Sequence, residues 1–190
     1  MHFNTYLRVI CSFFAACNGD TWSSELGVLS GSAPVMVTNP CKSAPAGTNG
    51  AISTMGTLAS CAAGALVGCA WLAATVCMAA LGPATSAAAD SPWTLLAQQA
   101  WLLPAAATAG TVGSLLDSFL GATLQQSVLR LSNSVIVSSE RARQLVAASK
   151  EPADGFKVIA GVDVLSNEGV NVVASSLTAL LGVGALLVTA

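Results

Sequence analysis

The chain has 190 residues, of which 54% are hydrophobic and only 8% carry charge. Water-soluble domains carry charge on about a quarter of their residues, and disordered chains are much poorer in apolar residues, so both classes are excluded. The net charge of −2 provides no basic surface for nucleic acid. A mean hydropathy of +0.70 instead indicates an integral membrane protein, whose solvent is lipid.

The first 18 residues contain an apolar stretch, 9–18, that is too short to span a membrane. We interpret residues 1–18 as the end of a spanning helix whose beginning is missing, because a polar motif follows at Gly19. A signal peptide with a short apolar core after Arg8 is the alternative.

Three longer segments, residues 43–89, 91–116 and 169–190, contain no Asp, Glu, Lys or Arg. A spanning helix needs about 20 predominantly apolar residues, and lipid offers no partners for free backbone groups. The sequence therefore predicts an all-α fold, a multi-pass helical bundle in a single membrane domain, 1–190. The predicted spans are about 57–80, 94–115 and 171–189.

The small residues Gly64 and Gly68 form a surface on the first of these spans that suits close contact with another helix. The six cysteines show no zinc-binding spacing, and the single histidine is His2. The sequence therefore argues against a zinc site and against a hydrolase with a Ser-His-Asp or Cys-His centre.

The segment 130–169 is predicted to be a polar loop, and it holds five of the seven Lys and Arg residues. Because Lys and Arg are enriched in the cytoplasmic loops of membrane proteins, the loop is placed on the cytoplasmic or equivalent side of the membrane. If the spans 57–80 and 94–115 both cross, the polar segment 19–50 lies on the same side. Polar residues of both segments can then meet at one face that a nucleotide can reach.

The first polar cluster, residues 19–27, follows the N-terminal apolar stretch. Helical spacing places Thr21 beside Ser24 and Glu25, and Asp20 beside Ser24. Carboxylate and hydroxyl oxygens are hard ligands suited to Mg²⁺, which can in turn hold phosphate oxygens. An N-cap role for Asp20, with hydroxyls that satisfy one another, is the equally weighted alternative.

The second cluster comprises Gly47, Thr48, Asn49 and Gly50, just before a span. A glycine-rich turn that opens a helix presents free backbone amides and a positive dipole end, which suits a phosphate. The cluster lacks the lysine of a P-loop, and a flexible loop with a Gly/Asn turn is the alternative.

The third cluster lies at the end of the second predicted span, where Gly113, Asp117, Gly121 and Gln125 recur every four residues. They therefore share one polar, close-packing helix face. An acid at the end of a span is costly unless it is paired, hydrated or ion-bound, so we expect Asp117 to be functional. An interfacial acid that simply reaches water is the alternative.

The fourth cluster stands at the entry to the last span, where Asn167 and Asn171 share a helix face with Ser175. Amides at this place can bind a ligand or cap the helix. The pair predicts a buried polar contact.

The four clusters occur in the order seen in the transmembrane protein 19 family, a family of membrane proteins of unknown function that includes the plant phytyl-phosphate kinase. The resemblance runs from about Gly19 to the C-terminus. The first two clusters also resemble, more distantly, the Gly-Asp-Thr and Gly-Thr segments of dolichol kinases, which use CTP. The matching motifs are Asp20-Thr21-x-x-Ser24-Glu25-x-Gly27, Gly47-Thr48-Asn49-Gly50-x-x-Ser53, Gly113-Ser114-x-x-Asp117-Ser118-x-x-Gly121-Ala122-Thr123-x-Gln125 and Asn167-x-x-x-Asn171.

The resemblance implies transfer of a phosphate from a nucleoside triphosphate to an isoprenoid monophosphate in the membrane lipid. It agrees with the Mg²⁺–phosphate site that the clusters themselves suggest, with Mg²⁺ as cofactor and Asp20, Glu25 and Asp117 as catalytic and metal-binding candidates. The phosphate-binding candidates are Thr21, Ser24, Gly47, Thr48, Asn49 and Gly50. The other polar candidates are Gln125, Asn167 and Asn171.

The chain also departs from that family pattern. Family members usually carry further spans and a polar motif upstream of the Asp-Thr segment, so we expect this chain to be truncated at its N-terminus. Ser166 stands where the family commonly has an acid. A non-catalytic multi-pass membrane protein, such as a transporter or an assembly partner, is the alternative function.

Overall fold

The computed structural model describes residues 2–81, 91–148, 150 and 152–189, and helices dominate this part of the chain. The four long helices are α1 (His2–Gly27), α2 (Thr54–Leu81), α4 (Leu102–Leu124) and α6 (Asn167–Thr189). Two shorter helices are α3 (Pro92–Gln99) and α5 (Ser139–Ala147), and a single 3₁₀ turn covers Ala153–Gly155.

The long helices form one packed unit around the pair α1 and α4. These two helices contact each other, and each of them also contacts both α2 and α6. Since α1 and α4 run towards the same end of the unit and α2 and α6 run away from it, four helix termini meet there. The polar clusters of the sequence lie at or near these termini.

The contact between α1 and α4 brings two backbones together. A Cβ atom at Gly19 would overlap the carbonyl oxygen of Gly110, and one at Gly110 would lie 2.6 Å from the carbonyl oxygen of Ser60. Only glycine allows such an approach, and close approach is how helices associate in lipid, where little hydrophobic force drives them together. The predicted contact surface on α2 is confirmed, because Gly64 packs on Ala106 of α4.

One helix in the described part of the chain, α2, is long and apolar enough to cross a membrane, and the predicted span 57–80 lies inside it. Large apolar side chains on α2, such as Leu58 and Leu66, are exposed. The spans 94–115 and 171–189 stay predictions. The first is divided between α3 and α4 by a turn at Ala100 and Trp101, and the second lies within α6.

The all-α prediction is too narrow, because the described part of the chain contains two small antiparallel sheets. The first has the order β2-β1-β3 and the second the order β5-β4-β6. Their strands are β1 (Val35–Met36), β2 (Asn39–Ser43), β3 (Ala51–Ile52), β4 (Ser127–Arg130), β5 (Val135–Ser138) and β6 (Phe156–Ala160).

The segment 130–169, predicted to be a polar loop, contains two strands and a short helix among its described residues. Its strands are rich in β-branched residues, which fit a half-buried pleated surface, and β4 pairs with both β5 and β6. Asp163, after β6, accepts hydrogen bonds from Arg143 Nη1 at 2.6 Å and from Ser139 Oγ at 2.7 Å. These contacts tie α5 to the segment before α6, and the Arg143 guanidinium with the Ser139 hydroxyl holds the pKa of Asp163 below its usual range.

The Gly19→Ala substitution tests the contact between α1 and α4. We expect it to lower the free energy of unfolding by about 1–3 kcal/mol, because the added methyl group overlaps backbone that cannot rotate away. Gly31→Ala is the matched control, since a Cβ atom there meets nothing within 4 Å. Denaturant unfolding in detergent measures both. Equal stabilities of the two variants would contradict the close approach.

Candidate functional site

A cavity of about 460 Å³ opens where the ends of α1 and α4 meet the beginnings of α2 and α6. We call it the acidic cavity, because it is lined by three acidic residues and by no Lys or Arg among the described residues. It brings together every site residue predicted from the sequence. These residues are Asp20, Thr21, Ser24, Glu25, Gly47, Thr48, Asn49, Gly50, Asp117, Gln125, Asn167 and Asn171.

The acidic cavity is lined by two carboxyl groups that are in contact. Asp20 follows Gly19 on α1, Asp117 lies on α4, and a side-chain hydrogen bond joins them. Both side chains are half-buried. Two carboxylates in contact repel each other unless a proton or a cation lies between them. The pair can therefore hold one positive charge, which is either a shared proton or a metal ion.

Side-chain amides from α6 extend this pair. With the Asn171 amide oriented to satisfy both of its polar atoms, its nitrogen donates to Asp117 Oδ2 at 2.9 Å and to the carbonyl oxygen of Asn167 at 3.0 Å. Gln125 Nε2 at the end of α4 donates to Asn167 Oδ1 at 3.4 Å. A polar contact of Asn167 and Asn171 is present, but it is not buried as predicted, because Asn167 is exposed and Asn171 is half-buried. The partner of the Asn171 side chain is the acid on α4, and that of the Asn167 side chain is Gln125.

Glu25 lies at the same cavity but not in the carboxyl pair. Within the part of the chain that the structure describes, no three His, Cys, Asp or Glu side chains converge on one metal position. A three-carboxylate ligand set of Asp20, Glu25 and Asp117 is therefore not assembled in this conformation. Glu25 is exposed one helical turn beyond Asp20.

The hydroxyl groups of the first cluster are already engaged as donors. Thr21 Oγ1 donates to the carbonyl oxygen of Cys17, and Ser24 Oγ donates to that of Thr21, both at 2.9 Å. Each hydroxyl oxygen keeps its lone pairs, so these side chains can accept a bond from water or coordinate a cation. They do not offer hydrogen-bond donors to a phosphate in this conformation.

The glycine-rich turn is held tightly against the end of α4. Gly47 and Gly50 have φ values of 83° and 80°, in the left-handed region that favours glycine. A Cβ atom at Gly50 would also overlap Ala122. The backbone N–H of Asn49 donates to Ser127 Oγ at 2.9 Å, and Ser127 is fully buried in β4.

This turn keeps two backbone donors for a ligand. The N–H groups of Thr48, Asn49 and Ala51 donate to the protein itself. Those of Gly47 and Gly50 have no partner among the described residues. The predicted phosphate cradle is thus reduced to two amides at the wall of the acidic cavity.

Three serines help to build the site but are not among the site residues predicted from the sequence, although Ser53 and Ser118 stand in the motifs quoted above. Ser53 accepts from the N–H of Gly56 and donates to the carbonyl oxygen of Gly27, so it joins the end of α1 to the start of α2. Ser118 lines the cavity beside Asp117. Ser127 is the third, and its role depends on a contact 78 residues away that no local pattern reveals.

Comparison with known proteins agrees with this membrane architecture. The family described as "Integral membrane protein DUF92" matches residues 2–179. The chain belongs to this family. As a DUF92 member with an apolar helix long enough to span, it is an integral membrane protein.

The DUF92 chain is also 40% identical over 172 residues to "Protein PGR" of Arabidopsis thaliana. The match covers 90% of this chain and 52% of that protein, so the chain spans about half the length of this curated relative. No solved structure matches the chain.

A double-mutant cycle tests the contact between Asp117 and Asn171. We expect Asp117→Ala and Asn171→Ala to show a coupling free energy of about 0.5–3 kcal/mol. The reason is that the two half-buried side chains are hydrogen-bond partners. Asn133, in the turn between β4 and β5, provides the control cycle with Asp117, and its coupling should stay within about 0.5 kcal/mol. Denaturant unfolding in detergent gives both values. Equal coupling in the two cycles would exclude a direct contact.

Proposed function

We propose that this chain carries the phosphate-binding site of a membrane phosphotransferase, which moves a phosphate from a nucleoside triphosphate to an isoprenoid monophosphate. One observation carries the proposal: four polar clusters, far apart in the sequence, converge on one cavity at one end of an otherwise apolar helical unit. The resemblance to the family of the plant phytyl-phosphate kinase supplies the reaction class. The position of the cavity, at one end of the helical unit, supports this reaction class.

The carboxyl pair supports binding of Mg²⁺. Asp20 and Asp117 offer hard oxygen ligands, and their mutual contact requires a positive charge between them. Asn171 fixes the orientation of the Asp117 carboxyl, as partners of metal ligands commonly do. When bound, Mg²⁺ would neutralise charge on the phosphate groups during transfer.

The remaining residues of the acidic cavity suit an anion that binds as a complex with a metal ion. Because no Lys or Arg lines the cavity among the described residues, a bare polyphosphate would be repelled by Asp20, Glu25 and Asp117. The free amides of Gly47 and Gly50 can donate to phosphate oxygens once that repulsion is screened. The site therefore favours a metal–nucleotide complex over a free anion.

The edge of the cavity beside α2 suits a lipid acceptor. Ser53 lines the cavity directly before α2, and the exposed apolar Leu58 lies one turn further along that helix. An isoprenoid tail could lie along α2 in the lipid while its phosphate reaches the cavity. This arrangement allows a long apolar substrate to react without leaving the bilayer.

A transporter or an assembly partner is the second candidate function. The carboxyl pair between two helices favours it, because ionisable residues within helices of membrane proteins commonly mark proton or ion pathways. In that case the pair would exchange a proton for a transported cation, and no phosphate would move.

Charge-neutral variants of the pair test the transfer. In proteoliposomes supplied with a γ-labelled nucleoside triphosphate, Mg²⁺ and phytyl phosphate, we expect Asp20→Asn and Asp117→Asn each to lower the rate more than about 100-fold, because each removes a metal ligand. Asp154→Asn is the control, since Asp154 is exposed and lies outside the cavity.

Membrane insertion of all three variants is checked by flotation with the liposomes. Full transfer by Asp20→Asn or Asp117→Asn would exclude the site assignment. Absence of transfer by the unaltered protein, together with proton uptake that depends on the same two residues, would favour the transporter.

A further inference from the structure

A second cavity, of about 340 Å³, lies beside the glycine-rich turn. We call it the lysine groove, because Lys42 and Lys157 line it and no acidic residue does among the described residues. Thr48 lines both this groove and the acidic cavity. The two cavities therefore share one wall but have opposite charge.

The two lysines come from different sheets. Lys42 lies on β2 of the first sheet and Lys157 on β6 of the second, so the fold brings together cations that are distant in the sequence. Both side chains are exposed. Two positive charges in one groove repel each other and raise the local potential, which an anion lowers.

The other cations of the described chain are mostly engaged. Arg8 stacks over the Trp101 ring at 4.0 Å, Arg143 pairs with Asp163, and Arg141 donates to Gln144. The side chains of Lys42 and Lys157 make no hydrogen bond or ion pair within the residues that the structure describes. In a chain with only seven Lys and Arg residues, two such lysines in one groove form a distinct positive site.

We propose that the lysine groove binds phosphate groups, either of a soluble polyphosphate or of an anionic lipid headgroup. Lys ammonium groups bind phosphate as compact point charges, and the Ser43 hydroxyl in the same groove adds a polar contact. Because the groove carries its own cations, binding there needs no metal ion. This site goes beyond the phosphate transfer proposed above and does not depend on it.

Binding of inorganic tripolyphosphate to the full chain tests whether the groove binds a soluble polyphosphate. The chain is placed in nanodiscs of neutral phosphatidylcholine with EDTA, and affinity is measured by titration calorimetry. We expect Lys42→Ala and Lys157→Ala each to weaken binding about tenfold, which corresponds to the loss of one charge-assisted contact. Lys150→Ala removes the same charge from an exposed lysine outside both cavities and should leave the affinity unchanged.

Titration of the chain in neutral detergent with short-chain phosphatidic acid tests the lipid source, and short-chain phosphatidylcholine is the control ligand. If the Lys42 and Lys157 variants lose binding of either anionic ligand, the groove is supported. The ligand that is lost shows whether the groove binds a soluble polyphosphate or a lipid headgroup. An equal loss in Lys150→Ala, or no dependence on Lys42 and Lys157 with both ligands, overturns the proposal.

Two further variants test the role of the lysine charge and the location of the ligand. Lys42→Arg keeps the charge and should retain binding, which shows that the alanine variant lost a charge and not its fold. Asp117→Asn should leave tripolyphosphate affinity unchanged, even though it is expected to lower the rate of phosphate transfer strongly. Tighter tripolyphosphate binding by Asp117→Asn, which removes a repelling charge from the acidic cavity, would locate the ligand there and overturn the groove.

Discussion

The backbone contact between α1 and α4 is the constraint on which the rest of the structure depends. In lipid, apolar side chains gain little from leaving their solvent, so helices associate where small residues allow close packing. Gly19 and Gly110 provide that approach. Asp20 follows Gly19 directly, and the acid pair with Asp117 is therefore a geometric consequence of the crossing.

Around this crossing the polar residues are divided by charge. The acidic cavity contains carboxyls, amides and hydroxyls, whereas the lysine groove contains cations, and the loop with Thr48 separates them. The position of this loop depends on Gly50 against α4 and on Ser127 beneath Asn49. The second sheet thus takes part in the site, because its β4 strand provides the buried hydroxyl that anchors the turn.

Helical periodicity was sufficient to place Asp117 and Gln125 on one face and to pair Asn167 with Asn171, because the repeat of a helix is local and regular. The membrane class followed from composition. The short strands were missed, since β4 and β6 depend on pairing partners distant in the chain. The hydroxyls of Thr21 and Ser24 were expected to face a ligand, but helical carbonyl groups one turn earlier compete for their protons.

The contact from Asn171 to Asp117 has a consequence for the order of assembly. The helix α6 leaves the ribosome after α1 and α4, so the carboxyl pair can form while its amide partner is still being synthesised. Until α6 packs, Asp117 lacks the donor that fixes its orientation. The acidic cavity therefore reaches its final geometry only when α6 has packed against α1 and α4, so packing of α6 is the step that completes the site.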